Sequence, residues 1–109
     1  MAWLILAVAI VFEVAGTTAL KLSAGLTKPI YIAATALAYV ISFALFGLAI
    51  KTISVGAAYA IWAGVGTAAI VLVGVIWFAE PLTILRVACI GLIVAGVVGL
   101  HMLEGKATL

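Results

Sequence analysis

Four apolar runs, each close to the length of a bilayer crossing, dominate the chain. The first goes from about Ala2 to Leu20, is interrupted by Glu13 and is closed by Lys21. The second lies between Pro29 and Ile50, bounded by Lys28 and Lys51. The third runs from about Val55 to Ala79 and ends at Glu80-Pro81. The fourth spans about Ile84 to Leu103, with Arg86 near its start and Glu104 and Lys106 after it. A helix needs about 20 mostly apolar residues to cross the hydrocarbon core. The pattern therefore predicts an all-α integral membrane fold, a single domain of four transmembrane helices over about 2–21, 29–50, 55–79 and 84–103.

Composition excludes the alternatives. Of 109 residues, 70% are hydrophobic and 7% charged, against about 25% charged in soluble domains. Too little polar surface remains for a soluble enzyme, a nucleic-acid binder or a disordered tail. Cys89 stands alone, so it can form no internal disulfide and supplies no metal site by itself. No cofactor or metal is expected. The segments between spans are short turns, which makes successive helices antiparallel neighbours and leaves no extramembrane domain to expect. Pro29 and Pro81 suit a first helical turn, where the missing amide hydrogen costs little. The first span is not read as a signal peptide: it lacks a basic start, holds a mid-span carboxylate and has no small-residue cleavage site.

The basic residues are split almost evenly between the two sides. Lys51 and Lys106 fall with the termini, and Lys21, Lys28 and Arg86 fall opposite. A chain with one orientation usually shows a clear Lys and Arg excess on its cytoplasmic side. Insertion in both orientations is expected.

Glu13 is the residue that most needs a reason. An ionised side chain at the bilayer centre costs at least about 2.5–3.5 kcal/mol. No basic residue stands at helical spacing to neutralise it, and Lys21 can extend to the interface instead. Glu13 should then face protein or a water-filled cavity, where burial disfavours the charged form. Such residues mark ion or substrate pathways. Ala9, Gly16 and Thr17 share its face. Gly16 can admit a ligand or a neighbouring helix, and the Thr17 hydroxyl can serve the site or bond its own helix backbone. With no His, Cys or second acid near it in sequence, Glu13 lacks the partners for hydrolysis or metal chemistry. A lone buried acid can hold either a proton or a cation. If the two compete, proton entry from one side drives cation release to the other, which is antiport. His101, near the end of the fourth span, reads as a boundary residue.

A cation site also wants polarisable lining. Tyr59 and Trp62 are three residues apart, so they lie on neighbouring parts of one helical face. A Tyr hydroxyl can hydrogen-bond a carboxylate, and Trp offers the best face for a cation–π contact. Tyr39 and Ser42 repeat that spacing on the second span. Trp3, Tyr31 and Trp77, near span ends, fit interfacial anchors, and a pocket role for Tyr59 and Trp62 stands beside the same reading. Gly64 and Gly66 can hinge the third span or allow close packing. Gly91, Ala95 and Gly99 recur every four residues and make a small-residue stripe suited to helix association and dimerisation.

The run Phe12-Glu13-Val14-Ala15-Gly16-Thr17-Thr18, with Lys21 and Gly25 after it, and the run from Gly56 to Gly66 around Tyr59 and Trp62, resemble the small multidrug resistance family of bacterial exporters. The likeness extends over the whole chain in length, span count and loop positions. It implies a proton-coupled exporter of the inner (plasma) membrane, not an enzyme, working as an antiparallel, dual-topology homodimer. It also implies that Glu13 of both subunits binds protons and small organic cations in turn, that Tyr59 and Trp62 line the pocket, and that the fourth helix holds the dimer. The family divides into exporters of hydrophobic and quaternary ammonium cations and exporters of guanidinium. The guanidinium type typically has Trp three residues after the acid; here that residue is Gly16, and Tyr39 also looks like the multidrug type. The Glu80–Arg86 stretch and the Met1-Ala2-Trp3-Leu4 start instead look like guanidinium exporters. The pocket residues weigh more because they lie with the acid. Multidrug export is thus the leading expectation, guanidinium export the alternative, and a non-transporting structural subunit a further one that leaves Glu13 unused.

Overall fold

The computed structural model describes residues 1–104; Lys106, counted above among the basic residues flanking the spans, lies outside them. The described residues form four helices and no strand: α1 (Ala2–Leu22), α2 (Pro29–Ala49), α3 (Val55–Trp77) and α4 (Ile84–Glu104). All four are long and apolar enough to cross a membrane, so the chain is a multi-pass membrane protein. Pro29 opens α2 behind an extended Lys28, as its fixed φ and absent N–H favour. The third helix is shorter than expected. It stops at Trp77, and Ala79 turns into the left-handed region at φ 54. Phe78 and Ala79 are apolar, so hydropathy alone carries the span past the point where the backbone leaves the helix. Thr83 sets the start of α4 by accepting the Arg86 amide on its hydroxyl at 3.1 Å, an N-cap bond that satisfies one of the helix's orphan donors.

Contacts gather into two compact units, residues 1–52 and the chain from Ile53 onward. The first is the hairpin of α1 and α2. Its turn is built around Ser23, which is fully buried. The Ser23 hydroxyl donates to the Leu20 carbonyl at 2.6 Å and accepts the Leu26 amide at 3.1 Å. Ala24, Gly25 and Leu26 are successively left-handed, at φ 51, 73 and 68. Gly25 takes that conformation without a Cβ penalty; its neighbours are held there by the bonds around Ser23.

The α1–α2 seam is lined by small and hydroxyl-bearing residues. Leu6, Ala9, Ile10 and Gly16 are buried on α1, and Thr35, Ser42 and Ala49 recur every seven residues on α2. Lipid is as apolar as leucine, so burying large side chains gains little there; small residues let backbones approach and hydroxyls bond across. Ser42 donates to the Ala9 carbonyl at 2.7 Å, and the Thr35 hydroxyl, 2.8 Å from the Tyr31 carbonyl of its own helix, also lies 3.2 Å from the Gly16 carbonyl. In the second unit α3 packs on α4, with Gly64 facing Ile93 and Val97.

Candidate functional site

Glu13 lies on α1 between the two carbonyls that α2 grips, one turn from each. It is half-buried, and the hydroxyl of Thr17, one turn further along, donates to its Oε1 at 3.0 Å. The same Thr17 oxygen lies 2.7 Å from the hydroxyl of Tyr39 on α2. A carboxylate, a threonine and a tyrosine are thus joined in one chain across the seam. The Thr17 side chain serves the acid, whereas Thr18 beside it folds back onto its own helix at the Val14 carbonyl, 2.9 Å away.

Gly16 makes this arrangement possible. A Cβ placed there would stand 2.6 Å from Cδ1 and Cε1 of the Tyr39 ring and 3.3 Å from the Ala38 Cβ. The ring therefore occupies the space a side chain at position 16 would take. The residue that seats Tyr39 and the residue that bonds it are consecutive on α1.

Ser42 does not join this cluster. It is wholly buried, and its hydroxyl is committed to the Ala9 carbonyl toward the other end of the helix. Thr35, absent from the candidates read in the sequence, reaches the Gly16 carbonyl as well, while sharing its hydrogen with the nearer Tyr31 carbonyl of α2. The signal was there: Thr35, Tyr39 and Ser42 are spaced four and three apart and so share one α2 face.

In the second unit, Tyr59 and Trp62 form an edge-to-face pair with ring centroids 5.7 Å apart and planes at 72°. Tyr59 is exposed at 57% and Trp62 is half-buried, so aromatic surface is available on α3. Gly64 has a packing role, since a Cβ there would press on Val97 and Ile93; Gly66 is also buried, and α3 is helical throughout both. A groove of about 250 Å³ further along α3 is lined by Ala69, Leu72, Val73, Ile76 and Trp77. Those side chains offer no carboxylate or hydroxyl to a cation. On α4, Gly91 and Ala95 are exposed and Gly99 is half-exposed. A Cβ at Gly91 or Gly99 would meet nothing within 4 Å. The stripe therefore faces away from α3.

The fold and site define a four-span membrane protein with a carboxylate inside its first span, bonded within the protein. The chain belongs to the small multidrug resistance family: the model of the Small Multidrug Resistance protein matches residues 1–93. It is 44% identical over 98% of its length to an uncharacterized membrane protein, YvaE, of Bacillus subtilis, covering 90% of that protein. It is 41% identical to the multidrug resistance protein EbrB of the same organism, over 95% of this chain and 89% of the relative. It is also 39% identical to a guanidinium exporter of Salmonella typhimurium, over 94% of this chain and 97% of the relative.

Proposed function

We propose that this protein exchanges protons for hydrophobic, aromatic or quaternary ammonium cations across the plasma membrane, with Glu13 holding one or the other. The observation that carries this reading is the half-buried Glu13, one Oε of which is bonded by Thr17 inside a membrane-spanning hairpin. A carboxylate so placed gives up much of its hydration, and either a proton or an organic cation restores the balance of charge. Competition for that one group couples the two flows. Tyr59 and Trp62 supply aromatic faces suited to an organic cation, a contact worth up to about 2 kcal/mol when desolvated. The working unit is an antiparallel homodimer, with the open Gly91, Ala95 and Gly99 stripe of α4 as its contact.

Export of guanidinium by the same machinery is a second reading. The Glu80–Arg86 stretch and the first four residues favour it, and the identities to EbrB and to the guanidinium exporter are nearly equal. Gly16 and Tyr39, which resemble the multidrug type, favour the first reading: the Tyr39 ring sits where a Trp side chain at position 16 would have to go.

The test is efflux from proteoliposomes under a pH gradient, with tetrabutylammonium and guanidinium as separate substrates. Wild type should move tetrabutylammonium; movement of guanidinium alone selects the second reading. Glu13→Gln should fold and lose coupled efflux of either cation, and coupled efflux retained in that variant overturns the exchange mechanism.

A further inference from the structure

The Glu13–Thr17–Tyr39 chain has a direction, and the direction depends on the acid. A threonine hydroxyl has one hydrogen to give, and an ionised carboxylate only accepts. With Glu13 ionised, Thr17 gives its hydrogen to Oε1 at 3.0 Å. The 2.7 Å contact between Thr17 and Tyr39 must then be made with the Tyr39 hydrogen. The order is Tyr39 to Thr17 to Glu13. When Glu13 takes up a proton it becomes a donor itself, and its hydrogen can point at the Thr17 oxygen. Thr17 then turns its own hydrogen to Tyr39, which changes from donor to acceptor. No bond to carbon changes; one proton arrives at Glu13 and two hydroxyl hydrogens rotate. An organic cation at Glu13 leaves the carboxylate ionised and so leaves the first order in place.

We propose that Thr17 is a positioning residue that makes the hydroxyl of Tyr39 respond to the proton on Glu13, so that a side chain seated over Gly16 differs between the proton-loaded and the cation-loaded site. The inference rests on the reading of Glu13 as the shared acid and extends it to how the pocket wall registers the exchange. Tyr39 is the titratable group that α2 brings to Glu13 through Thr17. Tyr31 on α2, Lys21 on α1 and Lys28 before α2 stand toward the turn of the hairpin. The seat explains why a change of hydrogen-bond direction would reach the ring: its Cδ1 and Cε1 lie where position 16 has no side chain to give way. Tyrosine is both donor and acceptor, so it can serve both orders.

Carbon NMR of the full-length protein in bilayers, labelled at the tyrosine ring and the glutamate carboxyl, tests this directly. Tyr→Phe variants assign the three tyrosines, and Glu13→Gln assigns the acid. The Tyr39 Cζ resonance should move with pH at the same midpoint as the Glu13 carboxyl carbon. That movement should vanish in Glu13→Gln and in Thr17→Val, and return in Thr17→Ser, which restores the hydroxyl. The Glu13 resonance should still titrate in Thr17→Val, which separates a lost relay from a lost fold. A Tyr39 signal that stays flat while Glu13 titrates, or that follows Glu13 in Thr17→Val, overturns the proposal. If Tyr39 follows Glu13 as expected but tetrabutylammonium and guanidinium bind equally at all pH values, the relay stands and the exchange reading falls.

Discussion

Gly16 has nothing to offer but the absence of a side chain, and Tyr39 uses it. Replacing it with alanine gains about 0.5–1 kcal/mol of helix preference. The added methyl would stand 2.6 Å from two ring carbons, and such overpacking costs about 1–3 kcal/mol. The packing effect is the larger. Gly16→Ala is therefore expected to lower the thermal unfolding midpoint and to weaken tetrabutylammonium binding together, because the displaced ring also leaves Thr17. A variant that gains stability with unchanged affinity would show that the ring moves aside freely. At this scale the sequence was legible only in part. Glu13 stood out because a charge inside an apolar run has a cost that needs no structure to see. Gly16 and Thr17 were visible as neighbours of the acid, one turn away. What could not be read was the choice Thr17 makes: one turn back along the helix lie both a backbone carbonyl and the Glu13 carboxylate. The partner that settles its role, Tyr39, is 22 residues away and arrives only through the register of the hairpin.

Helices in this chain were legible because lipid imposes a length and charges mark its limits. Their ends were less so, as α3 shows: the apolar pattern continues to Ala79 while the backbone turns out of the helix after Trp77. The faces by which α1 and α2 meet were harder still. Ser42 read as a pocket residue by its spacing from Tyr39, yet its hydroxyl spans the seam to a main-chain carbonyl. Interhelical bonds of this kind in membranes average about 0.6 kcal/mol and reach about 1.7. Ser42→Ala should thus destabilise the protein by about that much in reversible unfolding from micelles. Thr35→Val should cost less at the other grip, because the Thr35 hydroxyl shares its hydrogen with the nearer Tyr31 carbonyl of its own helix. Because the two bonds share no partner, their effects should add in the double variant. A much larger combined loss would mean that the hairpin opens as one cooperative piece.

Across the whole molecule, the proposed exchange would draw its drive from the membrane. Each pH unit of gradient supplies about 1.4 kcal/mol per proton, and each 100 mV about 2.3 kcal/mol per net charge moved. The near balance of basic residues gives the insertion machinery little to choose by. Reporters fused to the C-terminus, one active on each side of the membrane, should both give signal; strict one-sided activity would exclude an antiparallel pair of identical chains. The division of contacts at residues 52 and 53 has a consequence for how the protein can be made. Each half is a complete out-and-back loop through the bilayer, with its own turn and its own helix seam. Nothing in the way the acid is bonded requires the peptide link between Thr52 and Ile53, because Glu13, Thr17 and Tyr39 all belong to the first half. Two separately encoded polypeptides, 1–52 and 53–109, produced in the same cell, should therefore complement one another and restore cation tolerance that neither confers alone.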